Sequence, residues 1–129
     1  MKKKLTIILF IAFNACAFAQ KIQFSDGKVF SDGKAILSYK ITMMGNEYTF
    51  YTLNTTDEVL NIKCIRNGVG GATTKVHFPQ GRIDFDSTIW FGVNTKPILK
   101  RLVAEGVILK DGSIDTKKAI EFSDKYEVK

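Results

Sequence analysis

One histidine and a close pair of aspartates are the residues most able to do chemistry in this chain: His77, and Asp84 with Asp86. Nucleophilic catalysis needs a nucleophile, a base and a group that orients the base. His77 could supply the base, but no Gly-x-Ser-x-Gly elbow or cysteine signature frames it. A lone strand histidine reads more simply as a surface or pairing residue. Structural zinc takes four Cys/His ligands and catalytic zinc takes three protein ligands. Cys64 and His77 fill neither set without several carboxylates. The expectation is therefore no catalytic residue, no metal ligand and no cofactor. Asp84 and Asp86 stand two apart, about 7 Å along a strand, which overlaps the spacing of two-carboxylate glycoside hydrolysis. Raising one of the two pKa values needs an apolar wall, and the flanking sequence offers none. A small envelope hydrolase using Asp84 and Asp86 is thus an alternative, not the leading reading. Calcium held by the same pair and a carbonyl falls short of the roughly six to eight oxygens that ion takes.

Two glycine-bearing patterns invite ligand readings and fail them on spacing. Asn67-Gly68-Val69-Gly70-Gly71 lacks the Gly-Lys-Ser/Thr that closes a P-loop, and strand-type residues follow it. It reads as a hairpin loop. Phe24-Ser25-Asp26-Gly27-Lys28 recurs as Phe30-Ser31-Asp32-Gly33-Lys34. The repeat lacks the positions of an EF-hand loop, and two copies are too few for a solenoid. Asp-Gly is a tight-turn signal because glycine accepts positive φ. A short strand between two reversals is expected.

The aromatics are the remaining candidates. Tyr48, Phe50, Tyr51, Phe78, Phe85, Trp90 and Phe91 are more than one face of a small sheet needs. Core packing accounts for most of them. Trp90 and Phe91 beside Gly92, together with Tyr51, are the candidate ligand-binding residues, because Trp and Tyr enrich at binding hot spots.

These residues need strands to position them. Residues 35–42 alternate, with Ala35, Leu37, Tyr39 and Ile41 on one face. Residues 47–53 are aromatic and threonine-rich, as half-buried strands are. Residues 59–66 alternate Leu60, Ile62 and Cys64 against Asn61 and Lys63. Residues 75–79 place Val76 and Phe78 inward and His77 outward. Pro79-Gln80-Gly81 then reverses the chain into 82–86, with Ile83 and Phe85 inward. From Asn94 the pattern becomes helical. Asn94 or Thr95 can cap a helix with Pro97 in its first turn, Ile98, Leu99, Leu102 and Val103 recur at helical spacing, and Gly106 ends it. Asp115 can cap a second helix to about Tyr126, with Ala119, Ile120, Phe122 and Tyr126 apolar. The linker of about eight residues is too long for a DNA-reading helix-turn-helix. The expected fold is α+β: an antiparallel meander of about six strands, then two short C-terminal α-helices.

The N-terminus sets the compartment. Lys2 to Lys4, the apolar run Leu5 to Phe13 and Ala17-Phe18-Ala19 form the three parts of a secretory signal peptide. The run is far shorter than the roughly 20 residues a membrane helix needs. Residues 1–19 are expected to be a cleaved signal and 20–129 a single mature domain; acylation at Cys16 is the lipoprotein alternative. The chain has 19 basic and 13 acidic residues, net +6. The signal holds three of those lysines, so the mature part falls to +3, with no clustered basic face of the kind nucleic acid requires. Cys64 is its sole cysteine, so no internal disulfide can form and the fold rests on its core. Free cysteine is usually buried.

Phe18-Ala19-Gln20, the Asp-Gly-Lys turns, and Leu102 to Val107 leading to Asp111-Gly112 resemble the pattern of small exported proteins of unknown function from Gram-negative bacteria, with a signal peptide, a strand meander and a C-terminal helix pair. The resemblance implies that fold and compartment, and no activity or site residue. The reading is a non-enzymatic binding or interaction domain, periplasmic or secreted. Its expected partner is a protein or small ligand of the cell envelope, not nucleic acid, and no transmembrane segment is expected after cleavage. A purely structural envelope protein is a further alternative.

Overall fold

The computed structural model describes residues 21–42, 46–66, 72–87 and 95–128. The expected signal peptide, its cleavage point, Trp90 and Phe91 all lie outside the described residues.

Seven antiparallel strands follow one another in space as they do in sequence: β1 (Ile22–Ser25), β2 (Lys28–Ser31), β3 (Lys34–Thr42), β4 (Glu47–Thr52), β5 (Glu58–Arg66), β6 (Ala72–Phe78) and β7 (Ile83–Ser87). Two helices complete the α+β fold, α1 (Lys96–Ala104) and α2 (Thr116–Tyr126). The strand beyond the expected six is β1. The first Asp-Gly turn pairs it with β2, and the second pairs β2 with β3. In both turns Asp and Gly have positive φ: 51° and 74° at Asp26-Gly27, 52° and 83° at Asp32-Gly33. That double left-handed step is the backbone twist that suits a two-residue hairpin.

Register assigns the faces. Phe24 pairs with Val29, Val29 with Leu37, Tyr39 with Phe50, Phe50 with Leu60, Ile62 with Val76 and Val76 with Phe85. Residues opposite one another share a face, so one apolar stripe crosses the whole sheet. Leu37, Phe50, Leu60 and Val76 on it are fully buried. The opposite face carries Lys40, Tyr51, Asn61, Lys63, Lys75, His77, Asp84 and Asp86.

Two bulges break the simple alternation. Val29 pairs with Leu37 and Phe30 with Ala35, which leaves Ile36 as an extra residue. Both Ile36 and Leu37 are buried as a result, and the expectation that Ala35 shares the face of Leu37 and Tyr39 is corrected by this slip. A second bulge falls at Val59.

The helices cover the apolar stripe. Ile98, Leu99 and Leu102 of α1 and Ala119 and Phe122 of α2 are buried with it in one core. Ile120 departs from its expected place in the apolar side of α2: it is 49% exposed. Asp115 caps α2 by accepting from the Lys118 N–H at 3.1 Å, whereas Thr95 begins α1 with no side-chain cap. Gly106 follows α1 at φ 79°, and its N–H bonds the Val103 carbonyl. α1 touches edge strand β1 and α2 touches edge strand β7. Each helix thus packs at its own edge of the sheet.

Residues 105–115 between the helices are more than a linker. Ile108 and Ile114 form a bridge, and Val107, Ile108 and Ile114 are buried. Gly112, at φ 86°, sits against the Ile36 backbone.

Candidate functional site

The outward face holds the residues first considered for catalysis. Asp84 lies opposite His77, with its Oδ1 2.7 Å from the ring Nδ1. Asp86 lies opposite Lys75, whose Nζ donates to its Oδ1 at 3.1 Å. Each carboxylate is thus paired across the strands with its own partner, and the Asp84 side chain is 76% exposed. This is a surface charge ladder along β6 and β7, and such exposed pairs contribute about 0–1 kcal/mol. Further along the same face Glu47 accepts from the Thr42 hydroxyl at 2.7 Å and from Asn61 Nδ2 at 3.1 Å, with Lys63 at 3.5 Å. Those hydrogen bonds, that of Thr42 foremost, hold the Glu47 carboxyl below its ordinary pKa. Tyr51 is half-buried on this face, with the Lys40 ammonium 5.9 Å from its ring centre. Among the described residues no group of three or more His, Cys, Asp and Glu is placed to hold a metal ion.

The inward face holds an aromatic cluster that strand alternation could have revealed. Phe24, Tyr39, Tyr48 and Phe50 meet with ring centres 5.0 to 6.3 Å apart. Phe50 is the buried floor, and the other three are half-buried. Burial, reinforced by the neighbouring Tyr39 hydroxyl, raises the Tyr48 pKa. Cys64 is buried at the far end of the same face. Its thiol is a packing group there, as expected.

A pocket of about 340 Å³ opens elsewhere, where the second Asp-Gly turn meets the end of α1. Asp32 stands on the turn side. Val103 and Ala104 come from the last turn of α1, and Ile108, Leu109 and Lys110 from the segment that follows. Ile108 is a buried floor residue, and Leu109 is 42% exposed. The lining is mainly apolar, with one acid and one base. Asp32 accepts a long 3.4 Å bond from the Lys21 backbone N–H, and its own N–H bonds the Lys21 carbonyl. Among the described residues neither Asp32 nor Lys110 has an ion-pair partner.

The pocket lies apart from Tyr51. Sequence reasoning placed Val103 and Gly106 in a helix and its end, and assigned none of the lining residues to a site. The motif that contributes Asp32 was recognised only as a turn.

The end of α1 that lines the pocket is tied to α2 through Tyr126. The Tyr126 hydroxyl donates to the Glu105 carboxylate and accepts from Arg101 at 3.1 Å. Lys125 approaches Glu105 at 3.3 Å. The tie fixes the last turn of α1, and with it Val103 and Ala104. Among the described residues no helix is long and apolar enough to cross a membrane. Comparison of the chain with protein-family models, with curated proteins and with solved structures finds no match in any of the three.

Proposed function

We propose that this protein is an exported, non-enzymatic binding domain that takes a small ligand in the pocket between the Asp32 turn and the end of α1. The pocket itself carries this reading. Its 340 Å³ falls in the range of roughly 300–1,000 Å³ typical of small-molecule sites. An apolar lining with few polar groups is the usual composition of such sites. Its walls are also well supported: the turn is locked by positive φ, and α1 is tied to α2 through Tyr126. Export is supported by the signal-peptide pattern of residues 1–19.

The test uses protein produced with its own leader and purified from the cell envelope. Its intact mass should correspond to a chain beginning at Gln20. Retained Met1 would overturn export by cleavage, and a diacylglycerol mass on Cys16 would make it a lipoprotein. Amide spectra recorded with a library of small apolar amphiphiles should then show shifts at Asp32 and at residues 103–110. Ala104→Trp places a large ring in the pocket from an exposed helical position. It should abolish those shifts and leave the rest of the spectrum in place. Binding that survives Ala104→Trp, or shifts that fall only elsewhere, would remove the pocket as the site.

A further inference from the structure

Resting on that reading, we infer that the ligand is a small apolar amino acid, held by its ammonium at Asp32 and its carboxylate at Lys110 with its side chain on the Val103–Ile108–Leu109 wall. Three observations converge on this class. Asp32 brings a solvent-exposed carboxylate to the rim of the pocket, with no ion-pair partner among the described residues. α1 ends at Ala104 on the same wall, so the negative end of its dipole adds to the attraction for a cation. Lys110 supplies the opposite charge and likewise has no ion-pair partner among the described residues. Asp32 and Lys110 do not pair with each other across the cavity. An amino acid is the smallest molecule that presents both complementary charges and an apolar body. A neutral hydrocarbon would leave both charges unmatched beside it. A simple amine would answer Asp32 and the helix end but not Lys110.

Four probes with one branched apolar body separate these cases: leucine, 3-methylbutylamine, 4-methylpentanoate and 3-methylbutanol. The variants are Asp32→Asn and Lys110→Met. Asn tolerates the left-handed backbone that position 32 adopts, φ 52°, so the turn persists. Met keeps most of the lysine stem. Titrations of the leader-processed protein, followed by the amide shifts at residues 103–110, give the affinities. Leucine should bind at least about tenfold tighter than the alcohol. Asp32→Asn should remove the advantage of leucine over the carboxylate, and Lys110→Met its advantage over the amine. If all four bind equally at the pocket, the binding domain stands and the amino-acid assignment falls. If the amine equals leucine in the parent protein, Lys110 takes no part and the assignment falls. If none of the four moves these resonances while other library compounds do, the ligand belongs to another class. If nothing in either set binds there, the pocket reading itself fails.

Discussion

Gly112 offers the sharpest test of how the pocket segment is seated. A Cβ added there would meet the Ile36 carbonyl carbon at 3.0 Å and its oxygen closer still, against backbone that cannot swing aside. Gly33 is the natural control. Its φ of 83° nearly equals the 86° of Gly112, but nothing lies within 4 Å of the added carbon. Gly33→Ala should therefore cost only the left-handed conformation of an alanine, about 1 kcal/mol. Gly112→Ala carries that cost and must also push its turn away from β3. The turn moves as a unit, because the Gly112 N–H bonds the Leu109 carbonyl and the Leu109 N–H bonds the Ser113 carbonyl, each at 2.9 Å. Retreat uncovers Ile36, which is 3% exposed, and loosens Ile108 and Ile114. Full burial of one such side chain stabilises by about 1.5–3 kcal/mol, so the total loss should approach about 3 kcal/mol. Urea unfolding at constant slope reads both values. For a domain of this size the difference should also appear as a gap in Tm of about 8–16 °C, at about 4–8 °C per kcal/mol. Equal losses for the two variants would refute the argument that close backbone approach, rather than φ alone, fixes the glycine.

Three further outcomes follow from other residues. Thr74 Oγ1 is buried with no hydrogen-bond partner, and a buried orphan hydroxyl costs about 1–3 kcal/mol, so Thr74→Val should raise stability by about 1 kcal/mol in the same urea assay; a loss of that size would reveal a bond to that hydroxyl. Glu47 titrates below its ordinary value of 4.5 in the folded protein, so its contribution is present above that value and is lost as pH falls through the lowered folded one. Glu47→Gln should therefore be less stable than the parent at neutral pH, and the gap should close in acid; a gap that widened below pH 4.5 would reverse the sign. Cys64, 7% exposed, should react with a thiol reagent at the rate of global unfolding and freely in urea, whereas rapid reaction in buffer would place it at an accessible edge.

The strand meander, the Asp115 helix cap and the burial of Cys64 were legible because each rests on local chemistry. Asp-Gly announces its turns, Asp115 its helix, and alternation its buried face. The departures have local causes too. Ile36 is an inserted bulge residue, and an insertion cancels a period of two beyond it, which is why Ala35 fell on the wrong face. Ile120 kept helical spacing but sits at the margin of the face that α2 buries. β1 has four residues, so its apolar content merged with that of β2 in the pattern. The aromatic cluster lay between these cases. Alternation puts Tyr48 and Phe50 on one face of β4, yet only register joins them to Tyr39 and Phe24 on other strands.

The pocket was illegible for a different reason. Its charged groups are far apart in sequence, Asp32 on a hairpin and Lys110 after a helix, and neither belongs to a spacing motif. What brings them together is the packing of α1 against edge strand β1, which sets the segment after the helix beside the β2–β3 turn. Residue types near one another in the chain, such as Asp84 with Asp86, drew attention first because spacing is what a sequence displays. Cross-strand pairing then gave each of them its own neighbour, His77 and Lys75, and left them a ladder. Asp32 and Lys110 show the reverse: far apart along the chain, they share one pocket without an ion-pair partner among the described residues. In this fold a pocket shared by distant charges marks a better candidate site than charge placed close together by the sequence.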